Sequence, residues 1–180
     1  MKKLLDFTIP FKGLGLGAHS FDFQVDQKFF EFFNYSELES GNLRVDLILD
    51  RQTSHMSLDF HFHGTVRTVC DRCLDEMDYP LDFKESLVIK LGDEIPDARH
   101  IGEDVPVISH HETEINVAQF VFEFIVLALP PRKVHPDDAD GNPTCDPEML
   151  EKLDEYLAPD SPEGETDPRW DALKNAWKNN

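Results

Sequence analysis

Hydrophobic and polar residues alternate along much of the first ninety residues, with the period of two expected of strands that have one buried face. The alternation occurs in five segments, at residues 1–12, 20–25, 42–50, 56–63 and 80–91. Polar residues 51–55 separate the third and fourth segments, so we predict an antiparallel hairpin there. In its second strand, Asp59, His61 and His63 face outward and the intervening hydrophobic residues face the core.

Glycine and phenylalanine clusters interrupt this pattern. The glycines between 13 and 17 break the alternation and predict a flexible loop. Their spacing does not match a dinucleotide-binding fingerprint. Gly64 is predicted to interrupt the strand pattern before the chain reaches Cys70. The phenylalanines at 29–33 are compatible with a short helix or a strand, and the acidic residues 92–114 predict a long loop with a short strand near 105–108.

Helical patterns dominate the second half of the chain. Residues 115–129 are almost entirely apolar, which predicts a helix covered on most sides, with Asn116 as its N-cap. The prolines at 130 and 131 end it. A second helix is predicted at 147–157, with Asp146 as N-cap and a proline in its first turn.

These elements predict an α+β fold. We expect an antiparallel β-sheet, or a partly open barrel, covered by the long apolar helix and followed by a short helical and acidic region. The predicted domain spans residues 1–157. Residues 158–180 are predicted to form an acidic linker and a helical tail, in which Trp170 and Trp177 share one face.

Charge narrows the range of functions. The chain has 180 residues with 36 acidic and 17 basic side chains, a net charge of -19. Such a surface would repel nucleic-acid phosphates and attract a basic partner. A simpler interpretation is that the acidity maintains solubility. No apolar run is long enough to span a membrane and the N-terminus lacks a signal-peptide core, so we expect a cytoplasmic protein.

Cysteine spacing indicates a metal site. Cys70 and Cys73 have the Cys-x-x-Cys spacing that lets two thiolates bind one cation, and zinc then needs two further ligands. His135 and Cys145 are the candidates, because a polar loop between them can fold around an ion. We predict a structural zinc bound by these four residues. The alternative is that the cysteines are small buried hydrophobes and that His135 caps the preceding helix region.

Two other interpretations of reactive side chains are weaker. A redox-active thiol pair needs a lowered pKa, whereas Asp71, Asp75 and Glu76 are expected to raise it. His61 and His63 share one strand face and could bind metal, joined by the histidines at 110 and 111, but such residues more often form a solvated strand face.

The cysteine motif and the apolar helix resemble those of one known family. Thr68-Val69-Cys70-Asp71-Arg72-Cys73-Leu74, a helix ending in Leu-Ala-Leu-Pro at 127–130, and Asp-Pro-Arg-Trp-Asp-Ala-Leu-Lys at 167–174 are similar to the YceD family. These are the bacterial and plastid large ribosomal RNA subunit accumulation proteins. Some relatives carry two further cysteines where this chain has His135 and its acidic loop.

The resemblance implies a cytosolic factor that supports accumulation of large-subunit ribosomal RNA and associates with a small basic ribosomal protein. We therefore expect a non-enzymatic biogenesis factor whose partner is a basic large-subunit ribosomal protein or a pre-ribosomal particle. The predicted contact residues are Asp137, Asp138, Asp140, Trp170 and Trp177; the tryptophans could instead pack on the body of the protein. The alternatives are a Cys-x-x-Cys thiol- or metal-dependent enzyme, and a direct rRNA-binding module formed by basic residues that cluster in space (Lys12, Arg44, Arg51, Arg67 and Arg72).

Overall fold

Four long antiparallel strands carry four of the five alternating segments. The computed structural model describes residues 4–33, 38, 40–92 and 105–157. Its main sheet has the order β2–β3–β4–β5–β6, antiparallel except for the last pair, and β1 pairs with β7 in a separate two-stranded ladder. The strands are β1 Thr8–Ile9, β2 Gly17–Val25, β3 Ser40–Arg51, β4 His55–Val69, β5 Glu76–Leu91, β6 Val107–Ile108 and β7 Ile115–Asn116.

The helices complete an α+β architecture, which confirms the predicted class. They are α1 Gln27–Phe33, α2 Ala118–Ala128 and α3 Pro147–Tyr156, with two short 3-10 helices at Leu5–Phe7 and Phe11–Gly13. In this described part of the chain, no helix has both the length and the hydropathy needed to cross a bilayer.

The predicted β3–β4 hairpin is confirmed, with its hydrophobic set inside. Leu58, Phe60 and Phe62 of β4 are at most 1% exposed, whereas Asp59 is exposed. Asp46 of β3 lies directly opposite His61 on the outer face. Alternation therefore predicted the two faces of these strands correctly, because successive side chains of a strand point to opposite sides.

Gly64 lies within β4 and does not interrupt it, so that prediction was wrong. Its φ is +144°, which glycine adopts without strain. An added Cβ would overlap the carbonyl oxygen of Asn42 and come within 2.7 Å of the Leu43 Cα. The glycine thus lets β3 and β4 approach closely while pairing continues to Val69.

The N-terminal segment differs from the predicted strand. Phe7, Ile9 and Phe11 are buried as their spacing indicated, but among the described residues of this segment, 4–12, only Thr8–Ile9 forms a strand. That strand pairs with β7, far along the sequence, and the flanking residues form 3-10 turns. Alternating burial therefore reflects packing against several elements here.

The phenylalanine cluster forms a helix, α1, and not the strand that the sequence also allowed. Phe29 and Phe30 are 1% exposed, and the Phe29 ring lies 4.8 Å from that of Phe7. The Phe33 ring stacks on Phe122 of α2 at 4.2 Å. Aromatic contacts of this kind add to the stabilisation from burial.

The apolar helix α2 is shorter than predicted, because Ile115 and Asn116 belong to β7. Asn116 accepts a hydrogen bond from the Ala118 N–H although Val117 occupies the N-cap position. Phe124 contacts the sheet, with its ring 5.4 Å from that of Phe60. Leu127 is 78% exposed, and cover of the sheet by this helix stays a prediction.

Helix α3 follows its sequence signals. The Asp146 side chain accepts a hydrogen bond from the Glu148 N–H, and a proline occupies the first turn, as predicted. The predicted linker and tail at 158–180, including Trp170 and Trp177, lie outside the described residues, as do residues 93–104 of the predicted loop.

Candidate metal centre

Four side chains from two distant parts of the chain meet beside the β4–β5 turn. Cys70 follows the last residue of β4, Cys73 lies in the turn, and His135 and Cys145 flank the loop between α2 and α3. Their ligand atoms all lie within 4.8 Å of one another. The predicted convergence of the four residues is therefore confirmed.

The distances fit a tetrahedral metal site. The Cys70 and Cys145 sulfurs are 3.8 Å apart, and the His135 Nδ1 lies 3.4 Å from the Cys73 sulfur and 3.7 Å from the Cys145 sulfur. Tetrahedral zinc, with bonds of about 2.3 Å to sulfur and 2.0–2.1 Å to nitrogen, sets ligand atoms about 3.6–3.8 Å apart. The quartet could therefore hold a zinc ion.

Disulfide formation does not account for the cluster. All three cysteines are free thiols, and 3.8 Å between the Cys70 and Cys145 sulfurs is far longer than an S–S bond of about 2.05 Å. His135 lies beyond the end of α2 with its Nδ1 against two sulfurs, so the interpretation that it merely caps a helix region was wrong.

A tight turn presents the first two thiols. The Cys70 N–H donates to the Asp75 carbonyl at 2.8 Å, and the Leu74 N–H donates to the Cys70 carbonyl at 2.9 Å. The Arg72 N–H points at the Cys70 sulfur at 3.4 Å. Leu74 closes the turn with φ at +65°, a conformation that is costly for a residue with a Cβ. Backbone geometry thus directs donors towards a thiolate.

These donors change the acidity of Cys70. Burial alone would raise its pKa, but backbone N–H groups of Cys73, Arg72 and His135 outweigh burial and lower the pKa to about 6. The expectation that neighbouring carboxylates would raise it was therefore wrong for this thiol. Its stabilisation comes from backbone dipoles that only the folded turn provides.

Cys145 behaves in the opposite way. Burial raises its pKa, and the nearby Cys70 and Cys73 raise it further, to about 11. Three adjacent thiolates without a counter-charge are unfavourable, and a bound metal cation removes that penalty by binding the deprotonated sulfurs.

The three cysteines belong to a small core of their own. Cys70, Cys73, Met77 and Cys145 make a buried cluster separate from the main one, with partly buried neighbours packed around it (Tyr79, Val134, Met149 and Leu150). Helix α3 has no fully buried residue and touches this cluster through Met149 and Leu150. So few apolar residues provide little stabilisation by burial alone. A bound metal would supply most of the stabilisation of this small core.

Comparison with known families gives a match. Residues 58–175 match the family described as Large ribosomal RNA subunit accumulation protein YceD. The match covers about two thirds of the chain and includes all four residues of the cluster. The chain belongs to the YceD family. Searches of curated proteins and of solved structures gave no significant match.

In this YceD protein, Asp71 connects the cysteine turn to the segment that carries His135. Its N–H donates to the Lys133 carbonyl at 2.7 Å, and its carboxylate accepts from the Lys133 N–H at 2.5 Å. This reciprocal pair fixes the spacing between two halves of the candidate site, as outer-shell contacts of metal sites do.

We expect Asp71→Ala to weaken zinc binding by about tenfold, the lower end for loss of an outer-shell contact. Competition with a chromophoric chelator measures the effect. Asp75→Ala is the matched control, because Asp75 is exposed in the same turn and contributes only its carbonyl. Equal affinities for the two variants would contradict a positioning role for Asp71.

The acidic loop between His135 and Cys145 is held by one of its own carboxylates. Asp138 accepts hydrogen bonds from the N–H groups of Asp140 at 2.9 Å and Asn142 at 2.8 Å. The hydrogen bonds from Asn142 are the main cause of the lowered pKa of Asp138. The Asp138 carboxylate therefore binds N–H groups of its own loop, although Asp138 is exposed like Asp137 and Asp140. Partner contact by these three residues stays a prediction.

A second cluster contains one residue, Asp46, that the sequence pattern did not indicate. Ligand atoms of Asp46, His61 and His63 also lie within 4.8 Å of one another on the outer face of the sheet. The His-x-His spacing was visible in the sequence, but the carboxylate comes from β3, and only strand register brings it alongside. Among the described residues, His110 and His111 belong to neither metal-compatible group.

Proposed function

We propose that this YceD protein is a non-enzymatic factor that supports accumulation of the large ribosomal RNA subunit. The observation that carries the proposal is the family match over residues 58–175, whose description states that role. The three thiols free of disulfides are compatible with action in the reducing cytoplasm, where we place the protein.

Zinc is the metal that fits the cysteine cluster best. Three thiolates and one imidazole are a donor set typical of structural zinc, and the chain would supply all four ligands of a tetrahedral ion. Such a site would leave no position for a substrate or an activated water, and zinc bound there would attach the segment that follows α2 to the β4–β5 turn. We refer to the quartet of Cys70, Cys73, His135 and Cys145 as the clasp.

A basic ribosomal protein is the partner that charge favours. The chain carries -19, and Asp137 and Asp140 expose their carboxylates beside the clasp. Of the basic residues that could form an RNA surface, Arg67 pairs with Glu76 and Asp78, Arg44 pairs with Asp46, and Arg51 donates to the Leu14 carbonyl. These contacts engage three of the five basic residues named for an RNA surface and so weaken the case for phosphate binding by those three.

A thiol-dependent enzyme is a second candidate because the pKa of Cys70 is lowered to about 6. Activated thiols must also be reachable by their substrates. Cys70 is 0% exposed and Cys73 is 2% exposed, which argues against this candidate.

Affinity purification after ribonuclease treatment tests the proposed partner. We expect a basic large-subunit ribosomal protein to remain bound to the wild-type chain at low salt and to be released as salt rises, because the contact is electrostatic. Asp137→Asn/Asp140→Asn should reduce its recovery. The control Asp6→Asn/Asp22→Asn removes the same charge at exposed positions distant in sequence. Recovery of ribosomal RNA without any ribosomal protein would contradict the proposal.

Depletion of the protein tests the role itself. We expect the ratio of large- to small-subunit ribosomal RNA to fall, and the wild-type chain to restore it. An unchanged ratio would contradict the role in accumulation without bearing on which partner is bound.

A further inference from the structure

The outer face of the sheet carries a group of metal-compatible side chains unrelated to the clasp. His61 and His63 are two apart on β4, so both imidazoles project from the same face. Asp46 lies on β3 opposite His61, and Asp82 lies on β5 opposite His63. Three adjacent strands thus contribute two imidazoles and two carboxylates to one patch.

The geometry between His63 and Asp46 fits a shared ion better than a direct hydrogen bond. The His63 Nδ1 and the Asp46 Oδ2 are 3.7 Å apart, which is too long for a hydrogen bond. Two metal bonds of about 2.1 Å at a tetrahedral angle place their ligand atoms about 3.4 Å apart. An ion between these atoms therefore needs an adjustment of only a few tenths of an ångström.

The His63 Nδ1 also lacks any other partner. It is shielded from solvent and makes no hydrogen bond in the described part of the structure. A buried nitrogen left without a partner costs free energy. Coordination would satisfy it, because a neutral imidazole binds transition metals through a free ring nitrogen.

Neighbouring groups hold the other ligands in place. The Asp82 Oδ1 lies 2.9 Å from the His61 Nε2, the arrangement by which a carboxylate orients a histidine ring. Arg44 donates to the Asp46 Oδ1 at 3.0 Å, which leaves the Oδ2 towards His63. A cavity of about 500 Å³, lined in part by Asp46 and His61, opens beside the group and gives solvent access to it.

We propose that Asp46, His61 and His63 bind a divalent transition-metal ion, with Asp82 as a positioning residue. Two imidazoles and one carboxylate suit zinc, cobalt or nickel and lack the thiolates of the clasp. The site supplies three ligands, so solvent completes the coordination, and the ion links β3 to β4.

Titration of the metal-free, reduced full-length chain with Co²⁺ tests the site. Cobalt at the clasp gives an intense thiolate-to-metal charge-transfer band, whereas cobalt bound to imidazole and carboxylate gives only weak visible bands. We expect uptake of one equivalent without the charge-transfer band, in addition to any uptake at the clasp. Absence of this equivalent at millimolar Co²⁺ would overturn the proposal.

Variants test which residues bind this additional Co²⁺ ion. His61→Ala and His63→Ala should each weaken the affinity for this ion at least tenfold. Asp82→Asn should weaken it about tenfold, because Asp82 is an outer-shell partner. The control His110→Ala/His111→Ala removes two exposed imidazoles outside the group and should leave it unchanged. Equal losses in the control, or unchanged affinity in both histidine variants, would show non-specific binding and refute the site. An unchanged circular-dichroism spectrum checks that each variant is folded.

Discussion

Cys145→Ser is expected to release the metal and detach α3 from the sheet. The structural zinc of small zinc-dependent folds contributes about 10–16 kcal/mol of apparent binding free energy at neutral pH. The buried cluster that contains the three cysteines of the clasp has few apolar residues to replace that contribution. Metal analysis should show the loss of one zinc equivalent. Hydrogen exchange should show loss of protection at 145–157 while β3 and β4 stay protected.

A pair of histidine variants controls this prediction. His135→Ala should reproduce the loss of zinc, whereas His55→Ala, which removes an imidazole at the start of β4, should retain it. Retention of a full zinc equivalent by Cys145→Ser would contradict the clasp. So would undiminished protection of α3 after a chelator has removed zinc from the wild-type protein.

Gly64→Ala is expected to destabilise the main sheet by about 3 kcal/mol or more, in the range that backbone strain and steric overlap produce together. The added Cβ would overlap the Asn42 carbonyl oxygen, and both atoms belong to paired backbones that cannot rotate away. The positive φ of +144° adds strain for any residue with a side chain. Denaturant unfolding measures the change.

Gly13→Ala provides the matched control, because an added Cβ there meets no atom within 4 Å. We expect its free energy of unfolding to differ from the wild type by less than about 1 kcal/mol, as at other open positions. If Gly64→Ala were as stable as Gly13→Ala, the close approach of β3 and β4 would not exist as described.

Local signals in the sequence were sufficient for several elements. Alternation identified the inward face of β4, and Asp146 with the proline after it identified the start of α3. The Cys-x-x-Cys spacing, with His135 and Cys145 in a polar loop, identified the four residues that meet. Each of these depends on residues close together in the chain or on the few metal-binding side chains available.

Non-local pairing explains the errors. Ile115 and Asn116 were predicted to begin a helix, but pairing with Thr8 and Ile9 makes them a strand. Gly64 was predicted to interrupt β4, yet its backbone freedom is what keeps β3 and β4 in contact. Propensity cannot reveal such cases, because tertiary pairing overrides it.

The sequence by itself determined the α+β class, the inward and outward faces of the long strands, the membership of the clasp and the family. Only the tertiary structure decided the lowered pKa of Cys70 and the hydrogen bonds that Asp138 accepts within its own loop. It also decided that Asp46 lies close to His61 and His63. The physical reason is that these properties depend on distances and N–H directions between segments. Those are set by strand register and turn geometry, which no single stretch of sequence specifies.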